Sequence, residues 1–324
     1  MNAAPVDDTL LSVRHLKKYF PTRDGLLHAV DDVNLDVRRG TTLGVVGESG
    51  CGKSTLGRVI LHLLPATGGS IFFDGQDISN VTPERLHGLR REMQIIFQDP
   101  FASIDPRMSV RQLMGEALDI YKVCPDQEDY QRRIQEMMDT VGLESRLENS
   151  YPHELDGGRR QRIGIGRALM LNPKFIVCDE PVSALDVSIQ AQILNLMKDL
   201  QEQRQLTYIF ITHNLAVVRH ISDEIAVMYL GVIVEKCDAK ELFRRHYHPY
   251  TKALISAIPR LKSGTRRERI ILKGELASPI EPPNACRFAP RCNYAKDICR
   301  NQPPELVELS RNHFVACHLA KELN

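Results

Sequence analysis

One short segment limits what this chain can fold into more than any other: residues 47–54, which read Gly-Glu-Ser-Gly-Cys-Gly-Lys-Ser. The segment follows the apolar run of residues 42–46 and precedes residues with helical periodicity. Gly50 and Gly52 allow the backbone to turn its N–H groups toward a phosphate, and the start of a helix adds partial positive charge. A strand, a glycine-rich loop and a helix in this order predict a phosphate-binding loop rather than a chance turn.

The side chains of this loop suit a magnesium-bound nucleoside triphosphate. We expect Lys53 to reach the β- and γ-phosphates and the Ser54 hydroxyl to hold Mg²⁺. The positions expected to contact nucleotide are Gly47, Ser49, Gly50, Cys51, Gly52, Lys53, Ser54 and Thr55.

Two further apolar runs end in residues that fit the same chemistry. The run at residues 175–178 is followed by Asp179 and Glu180, and unpaired charges at the edge of a core are costly. Mg²⁺ would be the partner of Asp179, and Glu180 would orient the attacking water or accept its proton. A strand that ends in a solvated loop is the competing interpretation. His213 follows another apolar run and is expected to contact the γ-phosphate, although a solitary histidine after a strand is usually structural.

The wider pattern predicts the fold class. From residue 160 onward, helical and strand-like segments alternate, which predicts an α/β sheet covered by helices on both faces. Residues 10–46 alternate apolar and polar positions and predict strands, whereas residues 104–148 are mostly helical in pattern. Residues 241–258 are predicted to form one more helical segment, and the tail after residue 259 shows no clear periodicity.

Three features bear on where the chain works. Its first residues have neither the cationic start nor the apolar core of a signal peptide. The longest apolar stretch, residues 225–234, is about half as long as a bilayer span, and we interpret it as two strands around a turn. The net charge of +1 gives no electrostatic case for nucleic acid, so we expect no nucleic-acid partner. A membrane role would then come through partner proteins.

Residues 10–245 together resemble the ATP-binding cassette (ABC) family. Gln98 resembles the Q-loop residue, which senses Mg²⁺ and faces the membrane partner, and His213 resembles the switch histidine. Ser183 and Asp186 lie in a segment that resembles the D-loop. Tyr19 resembles the aromatic residue that stacks on adenine, with a tyrosine of the core as the alternative.

The resemblance implies the P-loop NTPase (RecA-like) cassette fold, with an antiparallel β-subdomain and a helical subdomain near residues 97–155. It also implies two cassettes arranged head to tail, so that each ATP lies between the phosphate loop of one cassette and the signature motif of the other. This chain holds one cassette and would need a second ATPase subunit. By resemblance, the signature residues offered to that subunit are Asp156, Gly157 and Gly158.

The signature departs from the family pattern. It normally begins Leu-Ser-Gly-Gly-Gln, whereas residues 155–159 read Leu-Asp-Gly-Gly-Arg. An ionised Asp156 cannot donate a hydrogen bond to the γ-phosphate, and its charge would cost on the order of a few kcal/mol at an effective dielectric of about 20. Capping the following helix is a compatible structural role. We hypothesise a heterodimer with unequal sites, in which the site that faces Asp156 hydrolyses ATP slowly.

The C-terminal part narrows the resemblance. Residues 248–251, His-Pro-Tyr-Thr, and the later segment Cys-Arg-Phe at 286–288 resemble the ATPase subunits of oligopeptide and dipeptide importers, whose relatives handle nickel or glutathione. This implies two transmembrane permease subunits, an extracytoplasmic substrate-binding protein and a peripheral position at the cytoplasmic face of the membrane. We expect an ABC ATPase domain over residues 1–245 and a C-terminal extension over residues 246–324.

Four cysteines fall within this extension, namely Cys286, Cys292, Cys299 and Cys317. Their spacing is not that of a zinc ribbon, yet four thiolates suit either an iron–sulfur cluster or Zn²⁺. A metal centre would stabilise a segment with little apolar content. The family resemblance favours a 4Fe–4S cluster, while Zn²⁺ and metal-free thiols stay open as alternatives.

Two other functions use a cassette. A soluble ATPase of the translation or DNA-repair type needs two cassettes or a long coiled-coil insertion, and 324 residues hold neither. A regulatory module that does not hydrolyse nucleotide has no need of Asp179, Glu180 and His213 together. We therefore expect an ATP hydrolase that uses ATP and Mg²⁺ to drive a membrane importer for peptides or a related small solute.

Overall fold

The computed structural model describes residues 8–99, 101–258, 269–272, 274 and 278–323. Residues 1–7, on which the expectation about a signal peptide partly rests, lie outside the described residues. The strands are β1 (Thr9–Thr22), β2 (Gly25–Arg38), β3 (Thr42–Val46), β4 (Gly68–Phe73), β5 (Gln76–Asp77), β6 (Met93–Ile96), β7 (Phe175–Asp179), β8 (Thr207–Thr212), β9 (Glu224–Tyr229), β10 (Val232–Asp238), β11 (Val307–Ser310) and β12 (His313–Val315).

The helices are numbered along the chain in the same way. They are α1 (Lys53–Ile60), α2 (Pro83–Glu92), α3 (Val110–Tyr121), α4 (Gln127–Thr140), α5 (Gly157–Leu169), α6 (Val187–Arg204), α7 (Leu215–Ile221), α8 (Ala239–Arg244), α9 (Pro249–Ser256) and α10 (Asp297–Asn301). No helix among the described residues combines the length and the apolar composition that a membrane span requires.

The chain divides into two compact units. The first contains residues 1–38, 42–80 and 210–324, and the second contains residues 39–41 and 81–209, so that the boundary falls within β8. The predicted division at residue 245 and the predicted limits of the helical subdomain, residues 97–155, stay predictions.

An antiparallel sheet with the strand order β2-β1-β4-β5 forms one part of the first unit. Strand β1 pairs with β2 along its whole length, from Thr9 opposite Arg38 to Thr22 opposite Gly25. Leu11 and Val13 alternate on one face of β1 and are fully buried, and Leu16, which follows a register shift after Val13, is fully buried as well. The strands predicted for residues 10–46 and the antiparallel β-subdomain are confirmed.

The first unit also holds strands in the order β11-β12-β10-β9-β3. Strands β3 and β9 are parallel, whereas β9 and β10 form an antiparallel pair. Leu230 and Gly231 join that pair with φ angles of 43° and 85°, so the prediction of two strands around a turn for residues 225–234 is confirmed. Helix α7 packs closely on β3, because a Cβ at Gly44 would lie only 2.4 Å from Val218. Strand β3 is thereby held rigidly where it enters the phosphate loop.

The second unit combines helices with a parallel strand pair. Strands β6 and β7 pair in parallel from Met93 opposite Phe175 to Ile96 opposite Cys178. Helices α3, α4 and α5 pack on one another, and Gly166 of α5 allows the close approach of Met114 of α3. The helical pattern predicted for residues 104–148 is confirmed by α3 and α4, and the alternation predicted after residue 160 is confirmed by α5, β7 and α6.

One prediction about the C-terminal part is wrong in detail. Residues 241–258 are not one helical segment, because α8 ends at Arg244 and α9 begins at Pro249. His248 caps α9, and proline favours the first position of a helix because it lacks an N–H group. The tail that lacked periodicity contains α10 and the short strands β11 and β12. Such short elements carry too few residues to show a period.

Candidate nucleotide-binding site

The phosphate loop lies between β3 and α1 in the first unit. Gly50 and Gly52 have φ angles of 78° and 104°, a conformation that residues with a Cβ rarely adopt. A Cβ at Gly52 would lie 2.0 Å from the carbonyl oxygen of Ala29, and one at Gly47 would lie 2.1 Å from that of Met228. Close packing against two other strands therefore requires glycine at both positions.

Lys53 turns its side chain back into the loop and is only 5% exposed. Its Nζ donates hydrogen bonds to the carbonyl oxygens of Gly47 at 2.9 Å and Glu48 at 2.8 Å. It also lies 3.7 Å from the Cys51 sulfur. These contacts satisfy a buried cation and place its charge beside the N-terminus of α1, where an anion is favoured.

The other predicted contact positions of the loop differ in exposure. Ser49 and Gly50 are exposed at the tip, whereas Ser54 and Thr55 lie half-buried in the first turn of α1. Hydroxyl oxygens are ligands that Mg²⁺ accepts, so the chemistry of Ser54 fits the predicted role.

Tyr19, on β1, is half-buried and held by other side chains. Its ring stacks on His28 with centroids 3.9 Å apart, and its hydroxyl donates a hydrogen bond to Asp31. Burial and this hydrogen bond raise the pKa of Tyr19 well above its usual value. The tyrosine is thus neither free nor part of the deep core, and its role toward adenine stays a prediction.

His213, also in the first unit, is exposed and follows β8 directly.

The second unit carries the acidic residues. Asp179 is the last residue of β7 and is 2% exposed. Glu180 follows with a φ angle of 47°, a left-handed conformation that costs a non-glycine residue energy and is frequent at functional sites. Gln98, two residues beyond β6, donates a hydrogen bond from Nε2 to Glu180 Oε2 at 3.3 Å. The structure therefore brings Gln98 and Glu180 together.

The signature segment starts helix α5. Asp156 is its N-cap, and its carboxylate accepts the backbone N–H of Arg159 at 2.8 Å, as the structural role predicted for it requires. A Cβ at Gly158 would lie 2.8 Å from Ile189 of α6, and one at Gly157 would lie 3.1 Å from Leu185. The two glycines therefore allow the start of α5 to pack against the D-loop segment and α6.

The D-loop segment turns directly after the acidic pair. The backbone N–H of Ser183 donates to the carbonyl oxygen of Glu180 at 3.2 Å, and the Ser183 hydroxyl donates to the same oxygen at 3.1 Å. Asp186 occupies the N-cap position of α6. Gln190 donates to the carbonyl oxygens of Val182 and Leu185, which fixes the turn between β7 and α6.

Two arginines near the phosphate loop were missed by sequence reasoning. Arg291 donates two hydrogen bonds to the Glu48 carboxylate, at 2.6 and 3.2 Å, and Glu48 is part of the phosphate loop. Arg287 donates to Asp31, the same carboxylate that holds Tyr19. The only signal was the arginine content of the cysteine-containing tail, and nothing in the spacing linked it to residues 31 and 48.

The four cysteines of the tail are free thiols. Cys286, Cys299 and Cys317 pack around Ala289 and Leu319, and burial raises the pKa of Cys286 to about 11. Among the residues that the structure describes, no group of three or more histidine, cysteine, aspartate or glutamate side chains is placed to hold a metal ion. The predicted 4Fe–4S cluster therefore lacks support from this geometry.

Comparison with known protein families gives two matches. Residues 30–183 match the family described as ABC transporter. Residues 234–299 match the family described as oligopeptide/dipeptide transporter, C-terminal region. The first match includes the phosphate loop, the acidic pair and the signature segment, and the second includes α9 and three of the four cysteines of the tail.

Individual proteins resemble the chain over nearly its full length. The oligopeptide transport ATP-binding protein AppF of Bacillus subtilis (strain 168) is 51% identical over 322 residues, which cover 96% of this chain and 98% of AppF. The dipeptide transport ATP-binding protein DppF of Haemophilus influenzae is 45% identical over 322 residues, which cover 98% of both chains.

Solved structures share the cassette part of the fold. The dimeric structure of a post-hydrolysis state of the ATP-binding cassette MJ0796, bound to ADP and Pi, has a TM-score of 0.65 and 27% identity and covers 71% of this chain and 99% of that one. Clostridium perfringens cbiO1, part of the ABC transporter complex cbiONQ, has a TM-score of 0.66 and 28% identity and covers 74% and 92% of the two chains. These matches confirm the predicted P-loop NTPase cassette fold.

Proposed function

The chain belongs to the ABC transporter family, in the group with the oligopeptide/dipeptide transporter C-terminal region, and from this premise we propose that it hydrolyses ATP to drive peptide import through a membrane transporter. The observation that carries the proposal is the phosphate loop with Lys53 bonded inside it, in a chain that is similar to peptide-transport ATP-binding proteins over nearly its full length.

The proposed catalytic groups follow from the motifs. Lys53 would bind the β- and γ-phosphates, and His213 would contact the γ-phosphate. Glu180 would orient the attacking water or accept its proton, and Gln98, which already donates to Glu180, would keep that carboxylate in place.

The oxygen donors Ser54, Gln98 and Asp179 are the residues proposed to hold Mg²⁺, and oxygen donors are what this ion prefers. Bound Mg²⁺ would neutralise charge that develops on the transferred phosphoryl group. The near-complete burial of Asp179 supports the assignment, because a carboxylate in that setting favours a cationic partner.

We propose that a second ATPase subunit completes each site. The signature segment with Asp156, Gly157 and Gly158 would face the phosphate loop of the partner, and Ser183 and Asp186 of the D-loop would lie at the same interface. The dimeric form of the solved cassette supports this arrangement. The departures at positions 156 and 159 support a heterodimer with unequal sites, since a normal signature on the partner would leave this chain's own site competent.

The remaining partners are those of a peptide importer. We propose two transmembrane permease subunits, an extracytoplasmic peptide-binding protein and a peripheral position at the cytoplasmic face of the membrane. Similarity to AppF and DppF supports peptides rather than nickel or glutathione as the transported class.

A 4Fe–4S cluster on Cys286, Cys292, Cys299 and Cys317 remains a separate proposal, with Zn²⁺ as the alternative. Backbone N–H groups of Phe288 and Ala289 lower the pKa of Cys286, and those of Tyr294 and Ala295 do so for Cys292, although burial dominates in both thiols and raises the pKa. Such hydrogen bonds favour a thiolate. Iron and sulfide analysis of anaerobically purified protein tests the proposal, and a folded protein free of metal would overturn it.

The decisive experiment for the function uses the assembled transporter in proteoliposomes. ATP turnover should rise when the binding protein carries a peptide, and Lys53→Ala should abolish both turnover and uptake. Lys198→Ala, an exposed lysine on α6, is the matched control and should behave like the wild type. Uptake of nickel or glutathione instead of peptides would replace the substrate class. A complex that binds ATP without turnover would make the chain a regulatory module.

A further inference from the structure

The segment between Cys286 and Cys292 reaches the nucleotide site with two side chains. Arg287 and Arg291 both belong to it, and each side chain is only 10% exposed. Arginines that are buried to this extent need partners, and both find a carboxylate of the N-terminal part of the chain. Neither carboxylate, Asp31 nor Glu48, is an element of the catalytic chemistry proposed above.

Arg291 contacts the phosphate loop itself. Its two hydrogen bonds to Glu48, at 2.6 and 3.2 Å, are bidentate, the geometry that fixes a carboxylate most firmly. The main chain of Glu48 is held as well, because its carbonyl oxygen accepts from Lys53 at 2.8 Å and its N–H donates to the Tyr250 hydroxyl at 2.8 Å. Glu48 therefore bonds Arg291 through its side chain and Lys53 through its carbonyl oxygen. A shift of the Glu48 side chain would move the carbonyl group that positions Lys53.

Arg287 acts on the other end of the expected nucleotide. It donates to Asp31 and to the carbonyl oxygen of Leu230, and Asp31 accepts from Tyr19. Burial alone would raise the pKa of Asp31, but hydrogen bonds from His28 and Tyr19 and the charge of Arg287 lower it, so Asp31 stays ionised. The ionised Asp31 holds the Tyr19 hydroxyl in place, while stacking on His28 holds the plane of the ring.

An aromatic cluster anchors the segment between the two arginines. Phe288 is 2% exposed. Its ring packs edge-on against Tyr229, with centroids 5.2 Å apart, and at a tilt against Tyr250, with centroids 5.5 Å apart. Tyr250 is the residue that accepts the Glu48 N–H. The packing of Phe288 thus holds the backbone of this segment in the fold, and with it the backbone positions of the two arginines.

We infer that Arg291 and Arg287 are positioning residues of the nucleotide site. Arg291 positions the phosphate loop through Glu48. Arg287 acts through Asp31 and positions Tyr19, the residue proposed to face adenine. The inference rests on the proposed ATP-binding role of the phosphate loop and of Tyr19. It assigns to the C-terminal extension a direct part in nucleotide affinity, separate from any metal that its cysteines hold.

The test measures the affinity of the full chain for ATP and for inorganic tripolyphosphate, which has phosphates but no base. Arg291→Gln should weaken the binding of both ligands about tenfold, because it loosens the loop that holds phosphate. Arg287→Gln should weaken ATP binding by a similar factor and leave tripolyphosphate binding unchanged. A general loss of folding would not separate the two ligands in this way.

A double-mutant cycle tests the path through Glu48. Glu48→Gln should weaken both ligands like Arg291→Gln, and the double variant should be no weaker than either single variant. Arg291→Lys should bind both ligands more tightly than Arg291→Gln, because it keeps a cation beside Glu48. It replaces Arg291→Gln in the test if that variant does not fold. Arg300→Gln, an exposed arginine of the same extension, is the matched control and should change nothing.

Two results would overturn the inference. One is wild-type affinity for both ligands in Arg291→Gln and Arg287→Gln. The other is a double variant whose loss is the sum of the two single losses. A wild-type chain that binds neither ATP nor tripolyphosphate would overturn the proposed function as well, so the two failures are distinguishable.

Discussion

The guanidinium of Arg159 lies 3.0 Å from the Asp156 carboxylate, so the two departures from the family signature form an ion pair with each other. Both side chains are substantially exposed, and such a pair stabilises the fold by no more than about 0.5 kcal/mol. In the dimer proposed above, Arg159 would offset the negative charge that Asp156 brings to the phosphate of the partner's site. The two substitutions are best understood together.

Asp156→Ser is expected to speed ATP turnover at the site completed by this signature, by about fivefold, because it removes a negative charge and supplies a hydrogen-bond donor. Turnover should be measured in complexes that also carry Glu180→Gln, so that this chain's own site is silent. Arg159→Gln alone should slow the same site, since Asp156 then lacks its counter-charge. Unchanged or lower turnover with Asp156→Ser would contradict the unequal-site hypothesis.

Glu180→Gln should reduce ATP hydrolysis at this chain's own site by at least about 100-fold, the usual contribution of a general base. ATP affinity should change less than about twofold, because an amide keeps the shape of the side chain and can still accept a hydrogen bond from Gln98. Single-turnover hydrolysis and equilibrium binding separate the two effects. Glu202→Gln, an exposed glutamate on α6, should leave both unchanged, and a parallel loss of affinity would show that Glu180 supports binding instead.

The sequence predicted the features that are encoded within one short segment of the chain. The phosphate loop, the strand that ends in Asp179 and the strand pair around Gly231 each follow from local spacing and apolar pattern. The ion pairs Arg291–Glu48 and Arg287–Asp31 join residues about 250 positions apart, and no local rule encodes a contact of that kind. The break between α8 and α9 was missed because the helical period on both sides concealed it, although Pro249 was a visible stop signal.

The charges of the signature segment show a second limit of prediction from sequence. The sequence alone presents Asp156 as an isolated negative charge, because the residue types at positions 156 and 159 do not show whether the two side chains meet. The helix that starts at Gly157 places residues three apart on one face, which is what allows Arg159 to reach Asp156. A motif is therefore better interpreted with the geometry of the element that carries it.

Gly52→Ala should abolish ATP binding and destabilise the fold, because the added Cβ meets the Ala29 carbonyl oxygen at 2.0 Å in a residue with a φ of 104°. Gly75→Ala is a matched control, since Gly75 also has a positive φ, 76°, but a Cβ there meets nothing within 4 Å. The free energy of unfolding of the control should fall only by the cost of placing alanine at a positive φ, about 1 kcal/mol. Denaturant unfolding and ATP titration of both variants check this, and equal losses would show that the clash at Gly52 is relieved by relaxation.

His248 should make the fold less stable in mild acid. Burial lowers its pKa to about 4, against an opposing effect of Glu235, and its Nδ1 accepts the Tyr250 N–H at 3.1 Å as the cap of α9. Between the ordinary pKa of 6.5 and the folded value, the unfolded chain binds a proton that the folded chain does not. The free energy of unfolding should therefore fall as the pH falls through this window, by on the order of 3 kcal/mol.

The variant His248→Asn isolates this effect, because an asparagine oxygen also caps a helix but does not titrate. Its free energy of unfolding should depend less on pH between 6.5 and 4 than that of the wild type. Burial alone would raise the pKa of Glu235, but hydrogen bonds from His313 and its other partners lower it below the usual 4.5, so its contribution begins to be lost as the pH falls toward 4.5. Glu235 is present in both proteins, so the difference between their slopes reports His248. Denaturant unfolding at several pH values gives both slopes, and identical slopes would mean that His248 is protonated in the folded chain or that its burial is relieved in solution.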